Sequence, residues 1–327
     1  MNKLYTFSLA FLAFNSFSQS YAPPAHTPGT TAMANDSSAF VAWATGVEIK
    51  RGFLNAADTN FALSGNNKAS FGSPSEALHQ AQGSSMTVVS LGDGGVATLT
   101  FAHPIMNGPG NDFAVFENSF QPDFLELAFV EVSSDGIHFF RFPAHTEVSF
   151  ATQVGAQGLI DCRRLNNFAG KYEQGFGTPF DLSDLPVDAL LNENAITHVR
   201  IIDVIGSIDP AIATYDSQGN IVNDPYPTAF ASGGFDLDGV GVIHQNTLGL
   251  GENEILVNIY PNPTTGVFYV NLGQEMDLRV LDISGKVLVS KAGIQQENID
   301  LAPFGSGMYL VELSNATQKT TQRIVVR

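Results

Sequence analysis

The chain has little cysteine, tryptophan or positive charge. Among 327 residues Cys162 is the single cysteine, so no disulfide can form within the chain, and a disulfide-stapled scaffold is excluded. Cys162 has no neighbouring Cys or His pattern and reads as a small buried residue rather than a nucleophile. Trp43 is the one tryptophan, and it lies too near the start of the main domain to be assigned to a sugar-stacking platform. Lys and Arg number 15 against 32 Asp and Glu, for a net charge of −17. A field of that sign repels nucleic acid and anionic lipid and suits cations. Long apolar runs are also missing. The stretch Leu4–Phe14 is too short to span a bilayer as a helix.

That stretch follows Lys3 and precedes Ser16, Ser18 and Ser20. A short positive region, an apolar core and small residues describe a signal peptide over residues 1–20, cleaved near Ser18 or Ser20. The charge is uneven beyond it. Residues 1–255 hold 26 acidic and 9 basic side chains, whereas 256–327 hold 6 of each. The first region therefore carries the entire imbalance.

A Pro-, Ala-, Thr- and Ser-rich lead-in at about 21–45 opens a main domain over 21–247. A short polar, glycine-containing linker follows at 248–255, and a tail domain fills 256–327. Within the main domain short β-branched and aromatic runs recur between Gly, Asn and Asp clusters: 96–101, 113–116, 126–133, 137–142, 199–204 and 240–244. Ser134-Asp135-Gly136 is a hairpin signal between two of them. Helical signals are confined to possible turns near 75–81 and 181–185. The fold class is all-β, a large jelly-roll or β-sandwich domain followed by a small Ig-like β-sandwich.

The tail opens on Ile259-Tyr260-Pro261-Asn262-Pro263-Thr264-Thr265-Gly266. It continues through the hairpin Val280-Leu281-Asp282-Ile283-Ser284-Gly285-Lys286-Val287, the run Gly307–Leu313 and the basic, β-branched end Arg323–Arg327. Pro261 and Pro263 cannot donate ladder hydrogen bonds and mark the start of the domain, not a central strand. These motifs, in this order over 256–327, resemble the type A C-terminal sorting domain of the type IX secretion system. The resemblance implies recognition by the outer-membrane translocation machinery, removal of the tail, and release or attachment at the outer cell surface.

In the main domain the candidate metal ligands are Asp112, Glu117, Asn118, Asp203, Asp236 and Asp238, all at turn-to-strand junctions. Asp236 and Asp238 are two apart and can share a strand face. Carboxylates, an amide oxygen and loop carbonyls are hard oxygen ligands that suit Ca²⁺. A loop beginning at Asp236 reaches Thr247 at its twelfth position, which excludes an EF-hand. An extended 112–118 strand separates its ends by about 20 Å, so Asp112 and Asn118 do not share an ion. Up-and-down alternation places Asp93 near Glu117 and leaves Asp112 at the opposite end. The competing role for each acid is to cap a turn by accepting backbone N–H bonds. The echo of Phe180-Asp181-Leu182 in Phe235-Asp236-Leu237 reads as structural, burying Phe and Leu at two turns.

The segments Val130–Phe139, Val199–Val204 and Phe235–Ile243 resemble the galactose-binding-like jelly rolls. More narrowly, Leu91–Asn118 is similar to a family of Bacteroidota cell-surface proteins, some of them associated with cobalamin uptake. The resemblance implies ligand binding in loops at one edge, often with a structural calcium. It names a glycan first and a corrinoid second. An enzyme is the competing class, with Glu117, Glu126 and Glu131 available for glycoside hydrolysis. Glu126 and Glu131 have odd spacing and face opposite sides. No zincin motif, nucleophile elbow or P-loop occurs. His26, His79, His103, His138, His145, His198 and His244 are scattered without ligand spacing. A purely adhesive surface protein is the third class.

Overall fold

The computed structural model describes residues 21–246, 257–315 and 319–327; the expected signal peptide and linker lie outside them. The chain divides into two compact units, Met1–Asn246 and Thr247–Arg327. Regular structure among the described residues is β-strand with a few 3-10 turns.

In the first unit, one sheet runs β1 (Met33–Ala34), β11 (Phe176–Phe180), β6 (Phe113–Glu117), β13 (Asp236–Val242) and β2 (Ala42–Trp43), with β4 (Val89–Ser90) also on β13. The other runs β3 (Gly46–Lys50), β5 (Val96–Ile105), β12 (Ile196–Asp203), β7 (Ala128–Ser133) and β8 (Phe140–Arg141). A two-stranded ribbon pairs β9 (His145–Thr146) with β10 (Leu165–Asn166). All pairings between these strands are antiparallel, and from β5 onward successive long strands alternate between the two large sheets. That crossing pattern is the one a sandwich needs to bury one face of each sheet.

Alternation explains the register. Val199 and Ile201 of β12, Ala97 and Leu99 of β5, and Val130 and Val132 of β7 face inward, where they meet Phe113, Val115, Phe180, Val240 and Val242 of the opposite sheet. Phe113 stacks on Phe180 at 5.4 Å between ring centroids, and Phe142 closes on both. The strand β6 is buried on both faces, because Ala114 and Phe116 pack outward under Phe40 and Trp43. Trp43 is thus packing for the outer side of this sheet. A separate apolar cluster, including Leu125, Phe129, Ile160, Cys162 and Phe168, lies beneath the 144–170 loops. Cys162 is free and buried. Phe180, Leu182, Phe235 and Leu237 of the repeated Phe-Asp-Leu units all join the main core.

The second unit is built on β14 (Val257–Tyr260), β15 (Val267–Leu281), β16 (Val287–Asp300), β17 (Gly307–Ser314) and β18 (Lys319–Val326). Irregular register between Asn271 and Met276 breaks β15 into two halves. The first half pairs with β14 and the second with β17, while β16 follows its other edge. Inward residues include Phe268, Val270, Leu278, Val280, Val311, Leu313 and Ile324. The Pro-Asn-Pro segment has a specific job: Asn262 accepts from Val325 N at 3.0 Å and donates to Arg323 O at 2.7 Å, tying the start of the unit to its last strand. The expected hairpin turn forms at Asp282, whose carboxylate accepts from Ser284 N and Lys286 N, with Gly285 at φ +85°.

Candidate functional site

Strand direction gathers the acids. Glu117 ends β6 opposite Leu237 near the start of β13. Asp203 ends β12 opposite Ala128, which starts β7, and Ile202 faces Val96 at the start of β5. Glu117, Glu126, Asp203, Asp236 and Asp93 therefore occupy one end of the sandwich, drawn from five different strand termini. Asp112 begins β6 and lies at the other end.

Asp112 is a clamp. One carboxylate oxygen accepts from Gly108 N at 2.7 Å and contacts His244 Nδ1 at 2.9 Å, and the other accepts from Leu182 N at 2.7 Å. It stitches three loops and has no oxygen left facing a cavity. Asp238 is similar: its two oxygens accept from Gln82 N at 3.0 Å and Gly83 N at 2.7 Å. Asp236 and Asp238 do not act together, since a register shift falls between Leu237 and Gly239 and Asp238 is taken up by the 82–83 turn. Asp203 accepts from Phe235 N at 2.6 Å and Gly94 N at 2.9 Å, joining two turns. Of the six expected ligands, Glu117, Asn118 and Asp236 come together.

They line a cavity of about 120 Å³ together with Ser119, Glu126, Thr228 and the rings of Phe120, Phe124 and Phe230. Asp236 accepts from Ser90 Oγ on one oxygen and from Asn118 Nδ2 at 3.0 Å on the other. That bond fixes which way the Asn118 amide faces and leaves its Oδ1 buried with no hydrogen-bond partner. A buried, unmatched acceptor costs on the order of 1–3 kcal/mol. Glu117 Oε2 accepts from Ser119 N at 2.8 Å and Ser119 Oγ at 2.6 Å. The partly buried Glu126 carboxylate receives no hydrogen bond from the described residues. At the mouth Phe120 is 65% exposed and stacks on Phe124 at 5.8 Å, and Phe230 is 49% exposed.

Charge in this end of the domain is almost unopposed. Burial, with the negative charge of Asp236 adding to it, pushes Glu117 up to about 8 despite the Ser119 hydrogen bonds. Burial raises Asp236 to about 7, against the pull of Ser90, Arg51 and Asn118. Glu126 is raised by burial and by Asp236, Glu117, Asp224 and Asp203 around it. Asp203 and Asp224 are raised by burial, and Asp93 rises to about 6 for the same reason. Asp224 accepts from Leu127 N at 3.1 Å through one oxygen, while its buried Oδ1 has no partner. Arg51 spends its guanidinium on the carbonyls of Phe71, Gly72 and Ser90.

Among the described residues no three His, Cys, Asp or Glu side chains are grouped as a metal cage. An ion in this pocket would rest on a mixed set: the Asn118 amide oxygen, the Glu117 and Glu126 carboxylates, and water. Glu126 was legible only as a catalytic candidate, and Asp224, in an Asn-Asp-Pro turn, gave no signal. Glu126 lies outside β7, so strand alternation does not relate it to Glu131, which pairs with Arg141 and Arg200.

Comparison with known proteins bears mainly on the second unit. Residues 258–327 match the secretion system C-terminal sorting domain. No curated protein matches the chain. Among solved structures, the BSP domain of a biofilm-associated protein is similar at 11% identity and a TM-score of 0.18, over 71% of this chain. The chain spans 48% of that structure's length, and a likeness this slight supports neither fold nor function. The described residues contain no helix long and apolar enough to cross a membrane. The tail, with its YPNP start pinned to a basic last strand, is a type IX secretion sorting domain and marks the chain for export to the cell surface or beyond.

Proposed function

We propose that the first unit is a non-catalytic ligand-binding domain displayed outside the cell, with the acidic pocket as its site and Ca²⁺ as the ion that completes it. The observation that carries this reading is the buried, unpartnered Oδ1 of Asn118, a residue in the wall of a cavity that the unpaired Glu126 carboxylate also lines. Hard oxygens of mixed type, with room for water, are what Ca²⁺ accepts and Mg²⁺ tolerates poorly. The ion stabilises the loops that carry Phe120 and Phe230, whose exposed rings at the mouth suit the apolar face of a sugar, so a glycan is the ligand class. Binding through loops on a rigid sandwich requires no bond making.

The test is calorimetric titration of Ca²⁺ into chelator-treated full chain, alongside thermal melting. Binding and a raised melting temperature are expected, with both lost in Glu126→Gln. A melting temperature indifferent to chelator sinks the calcium site.

A second reading has one observation behind it. Glu117 at about 8 beside Asp236 at about 7 is a carboxyl pair poised for acid–base work on a glycosidic bond. Polysaccharide turnover that disappears in Glu117→Gln would establish it. For the tail, fusion of residues 257–327 to a passive reporter, followed by its appearance outside a competent host, checks the export address.

A further inference from the structure

The five-stranded sheet has an outer face that the 144–170 loops cover around Phe129 and Ile202 but leave open toward β3 and β5, and that the acidic pocket does not touch. Cross-strand pairing lays its side chains in rows. Glu48, Thr98, Arg200, Glu131 and Arg141 are successive neighbours across β3, β5, β12, β7 and β8. Gly46, Thr100, His198 and Ser133 form the next row on the same face. Between them lies an open trough of about 450 Å³ whose lining includes Lys50, Thr98, Thr100, Phe139, His198 and Arg200.

These groups are held in place. Arg200 lies flat on Phe139, its Cζ 3.6 Å from the ring centroid, and its Nε and Nη2 are committed to Glu131. Among the described residues no hydrogen bond uses its Nη1. His198 meets the edge of the same ring at 6.3 Å and engages Thr197 Oγ1 through Nδ1 at 2.8 Å, leaving Nε2 free. Among the described residues no hydrogen bond uses Thr98 Oγ1 or Thr100 Oγ1. Gly136 keeps the wall open, because a Cβ there would sit 2.8 Å from His198 Cε1. A region of 26 acidic and 9 basic side chains thus brings Lys50, Arg141 and Arg200, a third of its cations, to one sheet face, against two acids: Glu48, 3.5 Å from Lys50, and Glu131, which pairs with both arginines.

We propose that this face is a second binding site, one that takes the carboxylate-bearing sugars of an acidic polysaccharide between Lys50, Arg200 and His198, with Thr98 and Thr100 receiving the sugar hydroxyls. Charge complementarity selects the anion, since the cations are concentrated here and scarce elsewhere. The hydroxyl-rich lining selects a polyol over a peptide. A peptide adding to a sheet uses backbone groups at an edge, whereas backbone groups on this face are consumed by the ladder. The arginine fork, pre-set by Phe139 and Glu131, gives a carboxylate a rigid donor without ordering a long side chain on binding.

Affinity electrophoresis of the full chain through gels containing polygalacturonate, with chelator present, tests the site apart from any calcium bridging. Retardation by polygalacturonate and none by dextran is expected. Arg200 is left intact in the variants because it holds Glu131. Lys50→Glu, at an exposed position, and the pair His198→Ala with Thr100→Val should each weaken retention at least tenfold with unchanged melting temperature. Glu126→Gln should leave retention unchanged, so failure of the pocket and failure of this face are separable. Absent retardation, equal retardation by dextran, or indifference of both trough variants overturns the proposal. Equal retention by polyglutamate overturns it in favour of an acidic protein partner.

Discussion

If Ca²⁺ enters the acidic pocket as proposed, it must displace protons, and the burial of the pocket's acids sets how many. Glu117 is pushed up to about 8 and Asp236 to about 7. At pH 6 the empty site holds about two protons on this pair, and at pH 8 roughly half of one. Glu117 is the proposed ligand of the two, and the need to ionise it alone weakens apparent affinity roughly 100-fold at pH 6 and only about 2-fold at pH 8, with Glu126, raised by burial, adding in the same direction. The expected gain between those pH values is at least about 50-fold. Isothermal titration in two buffers of different ionisation heat counts the protons directly. The same burial fixes the sign of the stability change without metal. A carboxyl whose folded value is raised favours folding most below its ordinary 4.5 and loses that advantage as pH climbs to about 8. For Glu117 the loss approaches about 5 kcal/mol at roughly 1.4 kcal/mol per pH unit. The chelated protein should therefore melt lower at pH 8 than at pH 5, and Ca²⁺ should remove most of the difference. An affinity flat from pH 6 to 8, with no proton released, would refute the reasoning.

Three further outcomes follow from local geometry. Lys171 is 5% exposed, donates to Leu165 O at 2.9 Å, and is pulled down to about 8 from 10.5 by burial. Its charge costs stability below pH 8 and nothing above 10.5, so Lys171→Met should gain about 2 kcal/mol at pH 7 after losing one hydrogen bond; a lower melting temperature contradicts this. Gly170 has φ +79°, and a Cβ there would lie 1.8 Å from Glu126 O; Gly170→Ala should destabilise by more than about 1–2 kcal/mol and weaken Ca²⁺ binding in the same titration. Phe180→Ala opens the stacked cluster with Phe113 and Phe142 and should cost about 3–5 kcal/mol in denaturant unfolding.

Much of the architecture could be read in the sequence because period-two alternation was strong. Val199 and Ile201, or Leu278 and Val280, announce an inward face without help from tertiary context. Boundaries shifted where turn chemistry intervened. The run 137–142 yields only Phe140–Arg141 as strand, because Asp135 accepts from Ile137 N and His138 N at 2.8 Å and holds the chain in a turn. Conversely β13 begins at Asp236 rather than 240, since the pairing of Asp236 with Ser90 and of Leu237 with Val89 and Glu117 extends it. Alternation of strand direction correctly set Asp93 and Glu117 at one end and Asp112 at the other. What alternation could not show was occupancy. Asp112, Asp203 and Asp238 look like Glu117 in the sequence, yet their oxygens are taken up on both sides, chiefly by backbone N–H groups of other loops. Only three dimensions reveal which acids have spent their acceptors.

That distinction between spent and unspent acceptors is what separates scaffold from site in this domain. Without disulfides, the loops at the acidic end are joined by carboxylates: Asp203 ties the 94 and 235 turns, and Asp224 ties Leu127. Each such acid is buried beside others of the same sign, so the end of the sandwich is held by hydrogen bonds and opposed by charge. Glu117, Glu126 and Asn118 stand at the point where hydrogen-bond donors run out while the negative charge remains. The proposed cation, bound there, would offset repulsion felt by every neighbouring acid, including those that never touch it. Its removal should accordingly loosen the 94, 127 and 235 turns together. Amide hydrogen exchange at Gly94, Leu127 and Phe235 ought to speed up in concert on chelation; protection that persists at all three would mean that the turns are held by their hydrogen bonds alone.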